Sequence, residues 1–99
     1  MRRVVVSGIG AVTPLGGDIN STWKNLINNQ SGANLISKFD ASDFQTKISC
    51  EVPIKSDQDT LEHSFDPNKW FTSKDLRKVD DFIIFGVAAA EMALEDSLL

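Results

Sequence analysis

Hydrophobic and polar positions along the chain mark four stretches of regular structure separated by polar turns. Val4, Val5 and Val6 form a β-branched run that favours a strand. After Asp18 the apolar residues Trp23, Leu26 and Ile27 fall on one helical face, with Asp18 or Ser21 as the expected N-cap and Gly32 as the expected stop. From Phe44 to Lys55 the alternation is regular. Phe44, Thr46, Ile48, Cys50, Val52 and Ile54 share one parity and Gln45, Lys47, Ser49, Glu51, Pro53 and Lys55 the other, the period of a half-buried strand. Pro53 places the end of this strand at an edge or at its last ladder position. A final helix is predicted from Ser73 to about Asp96, with room for a bend. The segments between, Ser31–Asp43 and Ser56–Asn68, read as irregular polar chain and exposed loop.

The glycines after the first strand invite a nucleotide reading, because Gly8 and Gly10 reproduce the start of a dinucleotide fingerprint. That fingerprint needs a third small residue where Thr13 stands and a helix already under way. Pro14, Leu15, Gly16 and Gly17 instead keep the chain turning. A buried strand followed by a structural turn is the better reading.

Composition narrows the class. The chain has 99 residues, a net charge of −4 and the apolar and charged fractions of an ordinary globular protein. The stretch Phe82–Ala90, FIIFGVAAA, is apolar all round, which belongs in the core of a larger body than these residues build. No Gly or Asn C-cap signal precedes Leu98 and Leu99, so the sequence reads as residues 1–99 of a partial N-terminal domain, incomplete at its C-terminal end. Arg2 and Arg3 before the valines imitate a secretory signal, but Ser7, Gly8 and Gly10 interrupt the apolar run and no small-x-small cleavage site follows. No apolar run approaches the roughly 18 residues that suggest a membrane span. One cysteine offers no internal disulfide framework and fits a reducing cytoplasm.

Candidate chemistry is sparse. Cys50, on the apolar parity, lacks a neighbouring base and reads as an inert core thiol. His63 shares its loop with Asp57, Asp59, Glu62 and Asp66. Counted from Asp57, the sixth and twelfth positions of a calcium loop would be Glu62 and Asn68, and the pattern fails. One histidine among scattered carboxylates gives no zinc set either. Gly86, Ala88, Ala89, Ala90 and Ala93 would let another backbone approach the last helix, most simply for core packing. Lys74, Arg77 and Lys78 have i, i+3, i+4 spacing, placing three cations on one helical face with Lys69 just upstream. On spacing alone an ordinary solvated face is the plainer account, and nucleic acid is disfavoured for want of a wider basic stripe or interleaved aromatics.

Taken in order, RRVVVSGIGAVTPLGGD, STWKNLINNQSG, FDASDFQTKISCEV and FDPNKWFTSKDLRKVDDFIIFGVAAAEMALEDS resemble the amino-terminal part of the β-ketoacyl-acyl-carrier-protein synthases of the type II, elongating class. The resemblance implies an α/β fold of thiolase type, an α/β/α/β/α layered sandwich of which this chain is the start of the N-terminal half. It implies a homodimer and decarboxylating Claisen condensation of an enzyme-bound acyl group with malonyl-acyl-carrier protein. The family's nucleophilic cysteine, two histidines and lysine lie beyond residue 99, so neither Cys50 nor His63 matches them. No catalytic residue, cofactor or metal is expected here, and the chain alone is expected to be inactive. Lys74, Arg77 and Lys78 match the family's carrier-protein contacts, and the resemblance turns a bland face into an expected docking surface for acyl- and malonyl-loaded acyl carrier protein. The alternative is a truncated, non-catalytic paralogue acting as a small binding module.

Overall fold

The computed structural model describes residues 1–55 and 63–99. In chain order it contains helix α1 (Ile19–Ile27), strands β1 (Ala33–Leu35) and β2 (Ile48–Cys50), a 3-10 turn at Pro67–Lys69, and helices α2 (Ser73–Leu76) and α3 (Asp81–Ser97). The radius of gyration, 15.7 Å, exceeds the roughly 13 Å of a compact domain this long, so the chain is open rather than closely wrapped.

α1 begins as its sequence predicts. The Asp18 carboxylate accepts the Ser21 N–H at 2.7 Å, satisfying one of the donors that a helix start leaves free. Its end differs: Asn28 caps the helix and Asn29 takes a left-handed φ of 59°, so the chain turns before Gly32 is reached. The predicted apolar face, Trp23, Leu26 and Ile27, is exposed. Ahead of α1, Thr13 and Gly16 exchange backbone hydrogen bonds of 2.9 and 3.1 Å around Pro14–Leu15, closing a tight turn. The Thr13 hydroxyl pairs with that of Thr22 at 2.8 Å and the Asn25 amide donates to the Leu15 carbonyl at 2.6 Å, which fastens the turn to the helix.

The strands depart most from expectation. Val4, Val5 and Val6 join no ladder among the described residues and stand exposed. The long strand over 44–54 shrinks to β2, and its partner β1 lies inside the segment read as irregular. The two pair antiparallel, with Ala33 opposite Cys50, Asn34 opposite Ser49 and Leu35 opposite Ile48. A strand does form within the alternating stretch, but its apolar parity is not covered: Ile48 is 59 % exposed and Cys50 is also exposed, not a core thiol. A two-stranded ribbon has no layer to cover either face.

The core lies elsewhere. Phe65, 1 % exposed, packs with Ile84 and Ala88, ringed by Val12, Val52, Trp70, Phe71, Leu76, Val79, Phe85 and Met92. The Phe65 and Phe85 rings meet edge to face, 5.5 Å between centroids. Phe65 comes from the segment expected to be an exposed loop, whose positions 56–62, with Asp57, Asp59 and Glu62, lie outside the described residues. The Phe65 backbone pairs in parallel with Ile54: its N–H donates to the Pro53 carbonyl at 2.6 Å and its carbonyl accepts from Lys55 N–H at 2.7 Å.

The predicted final helix is two helices with a break at Arg77–Asp80. α3 buries Ile84 and Ala88, while Phe82, Ile83, Val87 and Leu94 stay exposed. Its Ala89, Ala93 and Ser97 form a second packed stripe against which the N-terminal segment runs. A Cβ on Gly8 would strike the Ala93 carbonyl and lie 2.7 Å from Ser97 N, and one on Gly10 would strike the Ala89 carbonyl. Between them Ile9 N–H donates to Asp96 at 2.9 Å. The two glycines therefore serve backbone-to-helix contact, which the small residues of α3 make possible.

Candidate functional site

One of the chemistries weighed in the sequence meets a structural obstacle. The N-terminus of α1 is where a dinucleotide phosphate would bind, but the Asp18 carboxylate already accepts from one of its free amides, the Ser21 N–H, and would repel an anion. His63 is half-buried, and its carbonyl accepts the Gly17 N–H at 2.7 Å. It borders an open groove of about 650 Å³ lined by Lys55, Asp66, Lys69, Trp70 and Asp96 among others, where charges of both signs mingle. Among the described residues, no three or more His, Cys, Asp or Glu side chains cluster as a metal site would require.

Lys74, Arg77 and Lys78 form a different arrangement. Thr72 caps α2, its hydroxyl accepting the Asp75 N–H at 3.2 Å. The helix stops at Leu76, Arg77 keeps helical backbone angles as its C-cap, and Lys78 N–H closes the turn on the Asp75 carbonyl at 3.0 Å. Lys74 and Arg77 thus keep the predicted helical spacing, while Lys78 stands on the turn just after it. Leu76 and Val79 are half-buried against the Phe65 cluster and anchor the elbow from below. All three cations are exposed, and none forms an ion pair among the described residues. Lys69 lies close by in sequence, its ammonium 5.4 Å over the Trp70 ring.

The elbow is tied to the hairpin by a contact that sequence reading missed. Lys38, three residues after β1, reaches Asp81 at the start of α3 with Nζ 3.3 Å from Oδ2. It is the ion pair present among the described residues, and a separation of 43 positions leaves no local pattern by which to find it. Nearby, Glu51 accepts from the Ser37 N–H at 2.8 Å and the Ser37 hydroxyl at 2.7 Å, and from the Ser49 hydroxyl at 3.1 Å. The Ser37 bonds foremost, then Ser49 and the charge of Lys38, hold its carboxyl below the ordinary value.

The three cations thus stand exposed on an elbow of a chain with a net charge of −4, and comparison with known proteins supplies its class. Residues 1–99 match the family described as "Beta-ketoacyl synthase, N-terminal domain", and the chain belongs to it. Membership carries the thiolase-like fold class, of which this chain displays helices and one small sheet. Among relatives, it is 38 % identical over 97 residues to the "3-oxoacyl-[acyl-carrier-protein] synthase 2" of Rhizobium meliloti (strain 1021), covering 98 % of this chain and 22 % of that protein. It is 41 % identical over 96 residues to the enzyme of the same name from Vibrio harveyi, covering 97 % and 21 %. To "3-oxoacyl-[acyl-carrier-protein] synthase II, chloroplastic" of Arabidopsis thaliana it is 35 % identical over 95 residues, covering 96 % and 16 %. The chain thus spans about a fifth of the length of these relatives. No described helix is long and apolar enough to cross a membrane.

Proposed function

We propose that this chain is the N-terminal part of an elongating 3-oxoacyl-acyl-carrier-protein synthase, and that it contributes framework and a docking surface rather than reacting groups. In this reading the complete enzyme is a homodimer with the layered α/β/α/β/α architecture. It takes an acyl group from one carrier protein and extends it by decarboxylating condensation with malonyl-acyl-carrier protein, the nucleophile and its partners lying outside residues 1–99. In this reading residues 1–99 are inactive by themselves, since neither the exposed Cys50 nor His63 matches the family's reacting groups.

The observation that carries the reading is the set of three exposed, unpaired cations, Lys74, Arg77 and Lys78, fixed on a capped elbow. Such a patch attracts an acidic carrier protein over a distance and releases it readily, because rim charges govern arrival more than buried area does. The contact weakens as salt shortens the range of the field, about 10 Å at 0.1 M ionic strength. Reversing Arg77 and Lys78 to Glu removes two attractions and adds two repulsions. At about 0.5 kcal/mol for each of these four terms the sum is about 2 kcal/mol, or roughly thirtyfold in Kd. Titration calorimetry with acyl carrier protein at low salt tests this, with an unchanged melting temperature as the folding control. Unchanged affinity refutes the docking role.

A further inference from the structure

We infer that Lys38 sets the net charge of the docking surface by neutralising Asp81, an inference that rests on the docking role proposed for Lys74, Arg77 and Lys78. The elbow that presents the cations also carries Asp75, Asp80 and Asp81, three carboxylates that oppose an anionic partner. Asp81 is the one met by a cation, Lys38, whose ammonium lies 3.3 Å from its carboxylate. Three chain positions separate Lys78 from Asp81, so their Cα atoms are at most roughly 11 Å apart. An uncompensated charge there acts on an approaching partner within the range of the field at low salt. The pair is exposed on both sides, 55 % and 55 %, and adds little to folding stability. Its consequence is electrostatic: with Lys38 in place the patch keeps its positive balance, and without it Asp81 subtracts a charge. Lys38 reaches the elbow because the Glu51 carboxylate holds its neighbour Ser37 by both N–H and hydroxyl, fixing the chain where it leaves β1. Lys38 is thus a positioning residue for charge and needs no contact with the partner.

The test measures binding of acyl carrier protein at low and high salt to the wild-type protein, Lys38→Gln, Asp81→Asn, the double variant, and Arg77→Glu/Lys78→Glu. Lys38→Gln is expected to weaken binding about twofold to threefold at low salt, with the difference lost at high salt. Asp81→Asn is expected to strengthen it by a similar factor, and the double variant to return to wild-type affinity because the net charge is restored. Melting temperatures of the Lys38 and Asp81 variants should stay together. If Lys38→Gln leaves binding unchanged, or if the double variant remains as weak as Lys38→Gln, the inference is overturned while the loss in Arg77→Glu/Lys78→Glu still upholds the docking surface. If that last variant also binds normally, both fall.

Discussion

The same substitution at two glycines should change stability in opposite directions. Gly10 lies against the backbone of α3: an added Cβ would strike the Ala89 carbonyl and sit 2.7 Å from Ala93 N and 2.8 Å from the Met92 Cβ. No glycine of the described residues has a positive φ, so alanine at either site meets no backbone penalty and only space decides. Two of the obstructing atoms at Gly10 are helix backbone, which cannot rotate aside. Overpacking of this kind costs about 1–3 kcal/mol, offset by about 0.4–1 kcal/mol from a stiffer unfolded chain. A net loss near 1–2 kcal/mol corresponds to a melting temperature lower by roughly 4–16 °C in a domain of this size. Gly86, inside α3, has nothing within 4 Å of a built Cβ, and a helix-interior glycine costs about 0.5–1 kcal/mol relative to alanine. Gly86→Ala should therefore raise the melting temperature by about 2–8 °C. Thermal unfolding followed by far-UV circular dichroism reads both. A stable Gly10→Ala protein would remove the contact argument and reopen the phosphate-loop reading of Gly8 and Gly10, and a destabilised Gly86→Ala protein would show that α3 is covered where it stands open.

Two further outcomes follow from the core and from the hairpin. Phe65→Ala empties the most buried large side chain and its edge-to-face contact with Phe85, and should cost about 3–5 kcal/mol in denaturant unfolding; a loss under about 1 kcal/mol would mean that Phe65 is not the centre of the core. The Glu51 carboxyl is held below its ordinary 4.5, chiefly by the Ser37 N–H, so the stability it gives is present above that value and is lost as pH falls through its lower folded value. Melting temperature should accordingly be level from pH 8 to about 5 and decline below, and Glu51→Gln should flatten part of that decline. The remainder belongs in part to Asp40, lowered by its bond from the Ser42 N–H; an unaltered profile in Glu51→Gln would contradict the assignment.

Local chemistry was legible wherever the chain itself supplies both partners. Asp18 as cap of α1, the turn through Pro14 and the exposed triad at 74–78 all depend on residues within a few positions of one another. Burial was not legible, because it depends on what arrives from elsewhere. Phe65 sits in a run of turn-forming residues and carries no periodic signal, yet it is held by Pro53 and Lys55 on one side and by α3 on the other. The 44–54 alternation correctly indicates strand-forming residues, but with β1 as the paired strand only Ile48–Cys50 is laddered and the apolar parity stays open. The break between α2 and α3 arises where Lys78 N–H turns back to Asp75, which an apolar helical period running past it conceals. The alanines of α3 announced a close backbone approach; that the approaching segment is Gly8–Gly10 needed the fold.

The docking role of the basic elbow is tested most directly by an NMR titration of the 15N-labelled protein with acyl carrier protein at low salt. The account predicts shift changes centred on Thr72–Lys78, weaker ones at Lys38 and Asp81, and their disappearance as salt rises. Shift changes centred on the groove beside His63, or none at all, would contradict it.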